Sequence, residues 1–225
     1  MSVSELTAAT QDYLKSIWSL QEWTDDPVTL TALAERVGVA KSTASDAVKK
    51  LAEAKFVKHN PYGAIELTAT GRKNALAMVR RHRILELYLV EELGYQWDQV
   101  DVEAENLEHA VSDFLIEKID QKLGHPTRDP HGDPIPSPTG EIRIPNATRL
   151  NLVETGSFVV ERISDADPQF LRHLNSNSVS IGSIIEVLPK DTYSGSIKVC
   201  SERGDVTELS DAAASYLWVS AVVNS

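Results

Sequence analysis

Residues 124–140 limit the fold more than any other stretch. Gly124-His125-Pro126-Thr127-Arg128-Asp129-Pro130-His131-Gly132-Asp133-Pro134-Ile135-Pro136-Ser137-Pro138-Thr139-Gly140 holds five prolines and three glycines. Each proline fixes φ and removes a backbone donor, so neither a helix nor a central strand can run through this segment. The chain must divide here, around an extended and partly stiffened loop. The two sides differ in hydrophobic period. Before the loop, apolar residues recur at helical spacing. After it they come in short strand-like runs bounded by turn residues. That pattern is an α+β fold.

The first side opens with an amphipathic helix over residues 5–22, whose face is Leu6, Tyr13, Leu14, Ile17, Trp18 and Gln21. Asp12 lies beside that stripe and, taken alone, reads as a solvated surface acid. After the turn Asp25-Asp26-Pro27, Thr29 or Thr31 can cap a short helix with Leu30, Leu33, Ala34 and Val37 on its apolar face. Gly38 ends it by accepting a left-handed conformation. A second helix follows a tight connection and buries Ala44, Ala47, Val48 and Leu51. Its outer face carries Lys41, Ser42, Thr43, Ser45, Asp46 and Lys49. Small polar side chains there can reach phosphates or base edges. Two strand-like runs, Phe56–His59 and Ala64–Leu67, flank the turn Asn60-Pro61-Tyr62-Gly63, with Tyr62 at the tip. Helix, tight turn, helix and hairpin make an N-terminal winged helix-turn-helix, here residues 1–73. Lys41, Ser42, Thr43, Ser45, Asp46, Lys49 and Tyr62 are its candidate DNA contacts.

The overall charge of −11 argues against nucleic acid until it is divided along the chain. Residues 1–75 hold nine Lys/Arg and nine Asp/Glu, so the whole acidic excess lies further on. The first third suits DNA, and the remainder suits cations.

A long helix then runs from near Gly71 to Leu93, capped by Thr68 or Thr70 and stopped by Gly94. His82 and Glu86 are i, i+4 on it, an ordinary surface pair if nothing else joins them. Next, Val102-Glu103-Ala104-Glu105-Asn106-Leu107-Glu108-His109, read as a helix, puts Glu105, Glu108 and His109 on one face. Asp101 lies one turn upstream. Two carboxylates and an imidazole on one stripe are poor core material and good metal ligands. Val111, Phe114, Leu115, Ile119 and Leu123 continue an apolar helical face. Together these helices read as a helical dimerisation domain over 74–141. In the proline-rich loop, Asp129, His131 and Asp133 can equally build Asx-type turns.

Residues 142–150 read as a linker. Within 151–225, Gly156–Ile163, Ser183–Leu188, Ser196–Cys200 and Trp218–Val222 read as strands, and Pro168–Leu174 as a short helix, together a small β-barrel. Asp165 and Asp167 precede that helix, where acids favour a helix start. One cysteine, Cys200, excludes an internal disulfide framework and a multi-cysteine zinc site, and fits a reducing cytoplasm. No apolar run approaches the roughly 20 residues that span a bilayer, so no membrane partner is expected.

Four stretches together carry a resemblance. Thr10–Lys15, Met78–Glu86, Glu103–Asp113 and Asp129–Pro136 resemble the diphtheria-toxin-repressor family of metal-dependent transcriptional regulators, most closely its manganese-responsive, three-domain branch. The resemblance covers essentially the whole chain, more strongly over 5–137 than over the barrel, which looks like the family's SH3-like (FeoA-like) domain. It implies two adjacent metal sites. The primary site would match Asp12, Glu105, Glu108 and His109, with Asp129 and His131 added from the loop. The ancillary site would match His82, Glu86 and Asp101, completed by Asp165 or, second, Asp167.

The resemblance also implies a Mn(II)-dependent repressor, with Fe(II) or Co(II) as substitutes. It would bind palindromic operator DNA as a homodimer, with room for two dimers per operator, and control metal-transport genes. Iron-responsive members carry Met and Cys where this chain has Asp12 and Glu105, and carboxylates harden a site toward manganese. The two-domain manganese regulators place a carboxylate where this chain has Lys15, so their closely bridged metal pair is not expected. Within the family the alternative is an iron-dependent regulator. The rival of another class is a metallohydrolase using the same carboxylates and histidines, which lacks any HExxH-type signature.

Overall fold

The computed structural model describes residues 3–59, 63–189 and 195–222. They fall into two compact units. One takes the chain up to Leu85 with Glu105–His125 and Ile135–Ile142. The other takes Glu86–Ala104, Pro126–Pro134 and the chain from Arg143 on. No helix among the described residues is long and apolar enough to cross a membrane.

In the first unit α1 (Ala8–Glu22) is capped by Thr7, whose side chain accepts from the Thr10 N–H. It buries Tyr13, Leu14, Ile17 and Trp18. Helix α2 (Leu30–Val37) is capped by Thr29 rather than Thr31 and ends at Gly38 with φ +73°. Helix α3 (Lys41–Glu53) packs inward through Ala44, Val48 and Leu51. A short antiparallel hairpin follows, β1 (Val57–His59) against β2 (Ile65–Leu67). The hairpin tip, with Tyr62, lies outside the described residues. One hydrophobic core joins these elements to Ala75, Leu76 and Val79 of α4 (Ala69–Leu93). That helix starts two residues earlier than Gly71, because the Thr68 hydroxyl accepts from the Gly71 N–H at 3.0 Å. Gly71 sits against β1: a Cβ there would lie 1.9 Å from the Phe56 carbonyl oxygen.

Helix α5 (Val100–Glu108) ends one residue short of His109, which sits in the following turn. Helix α6 (Asp113–Lys122) is capped by Ser112, whose hydroxyl accepts from the Leu115 N–H at 3.2 Å. Its buried face is Ile116 and Ile119, while Phe114 and Leu115, read from the sequence as part of the apolar face, are exposed. Ser112→Ala is expected to cost about 1 kcal/mol, seen as a lower denaturant midpoint with an unchanged slope.

The second unit holds one six-stranded antiparallel sheet in the order β3 (Thr148–Arg149), β8 (Leu217–Ala221), β4 (Gly156–Ile163), β5 (Ile184–Val187), β6 (Ser196–Ser201) and β7 (Val206–Ser210). Its core includes Val160, Ile163, Ile185, Val199, Leu209 and Val219, covered by Leu171 and Leu174 of α7 (Pro168–Ser176) and Ala214 of α8 (Asp211–Ala214). Strand β3 and buried Leu150 fall in or beside the stretch read as a linker. Strand β7 was not legible in the sequence: it turns Thr207 and Leu209 inward and Val206 outward, so its buried face is half polar.

Candidate metal centre

In the first unit α1 presents Asp12, α5 presents Glu105 and Glu108, and His109 follows directly. The i, i+3, i+4 spacing stacks the last three on one face. One ligand-type atom of each of the four lies within 4.8 Å of the others. Glu108 is fully buried, and the other three are partly exposed. His109 Nε2 lies 2.9 Å from Asp12 Oδ1.

The neighbours of this group orient it. Gln11 is buried and donates through Nε2 to the carbonyls of Val3 at 2.7 Å and Leu6 at 3.2 Å. Its amide oxygen must then face His109 Nδ1, 2.7 Å away. Nδ1 therefore carries a proton, and the ring presents Nε2 to Asp12, the orientation a metal-binding imidazole needs. His82 Nδ1 pairs with Glu108 Oε2 at 2.7 Å. Lys15, three residues after Asp12 on the same helix face, puts its Nζ 2.5 Å from Glu105 Oε2 and 2.6 Å from Glu108 Oε1.

The electrostatics follow from this packing. Burial raises the Asp12 pKa, and Glu105 and Glu108 add to that, against the opposing pull of His109 and Lys15. Burial alone would raise Glu108 too, but the His82 hydrogen bond and the Lys15 charge bring it below its ordinary value. Burial works against a charged Lys15, yet Glu108 and Glu105 outweigh it and raise its pKa.

In the second unit Glu86, His131 and Asp165 form another group of ligand-type atoms within 4.8 Å of one another. His131 is held on three sides. Its Nε2–H donates to the Trp97 carbonyl at 2.8 Å, since a carbonyl can only accept. Its ring stacks on Trp97 with centroids 6.0 Å apart. Its own carbonyl accepts from the Ile163 N–H at 2.9 Å, which joins the loop to the end of β4. Nδ1 is left buried with no hydrogen-bond partner, 3.7 Å from Glu86 Oε1. Burial disfavours a charge on this ring, but Glu86, Asp129 and Asp165 outweigh it and raise its pKa. Burial, Glu86 and Asp133 raise the Asp165 pKa, against His131.

The loop residues and barrel acids separate here. His131 is grouped with Glu86 and Asp165, not with the Asp12 group: the Trp97 carbonyl fixes its ring and the Ile163 N–H its backbone. Asp129, also expected with Asp12, uses Oδ1 to accept the N–H groups of His131 at 2.8 Å and Asp133 at 2.9 Å, the Asx-type turn that shapes the loop. Asp133 in turn pairs with Arg162 Nε at 2.6 Å. Asp167 caps α7, accepting from the Gln169 N–H at 2.8 Å, so of the two barrel acids Asp165 is the one grouped with His131. Exposed Asp101, in the first turn of α5, brings a carboxylate oxygen within 4.8 Å of one of Glu86. His82 lies one turn before Glu86 on α4.

Lys41, Ser42, Thr43, Ser45, Asp46 and Lys49 are all exposed on α3. The sequence reading missed Gln11, the supporting role of Trp97 and the position of Lys15. For Lys15 a signal existed: it is i+3 from Asp12 and shares its face.

A model of the iron-dependent repressor N-terminal DNA-binding domain matches residues 5–65. The metal-binding and dimerisation domain of iron-dependent repressors matches 68–137, and the FeoA domain matches 148–221. The iron-dependent repressor IdeR of Mycobacterium tuberculosis is 33% identical over 153 residues, 67% of this chain and 66% of that protein, so the match spans just under two thirds of the relative. The diphtheria toxin repressor of Corynebacterium efficiens is 27% identical over 221 residues, 93% of this chain and 94% of that one. A solved manganese-dependent transcriptional repressor in complex with manganese is 50% identical, with a TM-score of 0.89 over 95% of this chain and 100% of that one. With the three domain models matched in order and half the residues shared along the whole of a solved repressor, the chain belongs to the diphtheria-toxin-repressor family of metal-dependent transcriptional repressors, which are DNA-binding regulators and not enzymes.

Proposed function

We propose that this repressor responds to Mn(II), binds palindromic operator DNA as a cytoplasmic homodimer, one or two dimers per operator, and controls metal-transport genes. The observation that carries the reading is the donor set: three carboxylates and one imidazole oriented by Gln11 through Nδ1, and no sulfur. Hard oxygen donors favour Mn(II) over softer or later metals, with Fe(II) and Co(II) as substitutes. Asp12, Glu105, Glu108 and His109 would hold the primary ion. Glu86, His131 and Asp165 would hold a second, with Asp101 as a further carboxylate near Glu86. The solved repressor with manganese bound supports the choice of metal.

A bound divalent ion supplies positive charge where carboxylates meet. Like charges ~4 Å apart repel by about 1 kcal/mol in water and about 4 kcal/mol at an effective dielectric of 20. Lys15 cancels only part of that charge, so without a metal Asp12 and the helix carrying it are still pushed from Glu105 and Glu108. Compensation draws α1 onto α5 and sets the placement of α3, the exposed reader. The two arrangements are the two states that allosteric control requires. Phe114 and Leu115, exposed on α6, offer an apolar surface to a second copy.

The test is a set of gel shifts on a palindromic operator across Mn²⁺, Fe²⁺, Zn²⁺ and Co²⁺. Retardation is expected at the lowest concentration with Mn²⁺, and equal response without metal overturns the reading. A sharper form is Asp12→Met with Glu105→Cys, which should move the response at least about tenfold toward Fe²⁺ or Co²⁺ because softer donors replace carboxylates. An unchanged order of metals would count against the hard-donor argument.

A further inference from the structure

We propose that Lys15 is a resident counter-cation of the carboxylate group, and that it sets the affinity of the primary site. The inference rests on Asp12, Glu105, Glu108 and His109 being the metal ligands. Lys15 does not point to solvent as a lysine on a helix surface usually does. Its side chain is 12% exposed, and its ammonium bridges one oxygen of Glu105 and one of Glu108, at 2.5 and 2.6 Å. It therefore uses oxygens on the same two residues that a metal would use.

Two consequences follow from charge alone. Three carboxylates and one ammonium leave the group with the formal charge of two carboxylates, which one divalent ion cancels. Lys15 also sits on α1 and its partners on α5, so it already draws the two helices together through charge-assisted hydrogen bonds. The metal-free group is thus less self-repelling than its acids alone suggest, and an incoming cation must contend with a charge already in place.

Removing that charge should therefore strengthen metal binding while weakening the metal-free protein. In Lys15→Met, of similar length and without charge, Mn(II) binding measured by calorimetry is expected to tighten by about tenfold or more, from the loss of one nearby like charge. The step to follow is the one that Asp12→Ala removes. The melting temperature of the metal-free variant should fall, and its rise on adding Mn(II) should grow. Lys15→Arg, which keeps the charge, should stay within about threefold of wild type on the same grounds. Lys15→Gln repeats the test if Lys15→Met does not fold. Unchanged or weaker Mn(II) binding in the uncharged variants would mean that Lys15 only organises the ligands, and would overturn the proposal. A calorimetric trace for Asp12→Ala identical to wild type would instead remove the metal-site reading itself, whatever Lys15 does.

Discussion

Asp12→Ala is expected to abolish Mn(II)-activated operator binding and leave the fold intact. Asp12 is the ligand-type residue that α1 contributes, and its carboxylate lies 2.9 Å from His109 Nε2. The other three residues of the group come from α5 and the turn after it. Without Asp12 they can still attract a cation, but that cation no longer ties α1 to α5. Operator affinity at limiting Mn²⁺ should drop by about a hundredfold, near the upper end of ordinary coupling between two sites. The fold should survive because Asp12 is half-exposed and burial already raises its pKa, so its charge is poorly accommodated without a partner. Footprinting at limiting Mn²⁺ is the measurement, with circular dichroism as the control. A footprint equal to wild type would refute the switch.

Gly132→Ala should cost about 3 kcal/mol and remove the second metal-binding step. The estimate combines a strained positive φ with the usual 1–3 kcal/mol for forcing extra volume into a packed position. Gly132 has φ +86°, and an added Cβ would stand 2.1 Å from the Glu161 carbonyl oxygen and 3.0 Å from Arg162 Cα. Those atoms are backbone and cannot swing aside. The loop must lift from β4, which breaks the 2.9 Å bond between the Ile163 N–H and the His131 carbonyl. His131 Nδ1 then leaves Glu86 and Asp165. Calorimetry should show the Asp12-dependent step retained and the other lost. Two steps at wild-type affinity would show that the loop does not position His131.

The helical half of the molecule was largely readable because its determinants are local. Thr29, Gly38 and Ser112 mark helix ends through side-chain caps and a left-handed residue, and each acts within four positions along the chain. The grouping of Glu105, Glu108 and His109 follows from the 3.6-residue turn. The strand half was harder. Strand β7 hides behind inward Thr207, and β3 is a two-residue pairing with β8 that no local pattern announces. Of the apolar face that the sequence suggests for α6, Ile119 is buried, but Phe114 and Leu115 are exposed and Ile116 packs in their place. Periodicity locates an apolar stripe and does not say which edge of it meets a neighbour.

The proline-rich loop shows both sides of this division. That 124–140 would be irregular, that helices would precede it and strands follow, and that hard donors would gather on α5 are consequences of the sequence itself, because proline geometry, helical period and side-chain chemistry act locally. Where the loop sends His131 was a tertiary decision. It depends on Ile163 and Trp97, both more than thirty residues away in sequence: the first holds the His131 backbone and the second its ring by hydrogen bonds. The same holds for Asp165 over Asp167, separated by the capping bond to Gln169, and for Lys15, whose ammonium finds Glu105 and Glu108 some ninety residues downstream. Such choices depend on distances between elements, which residue order alone does not encode in any local pattern.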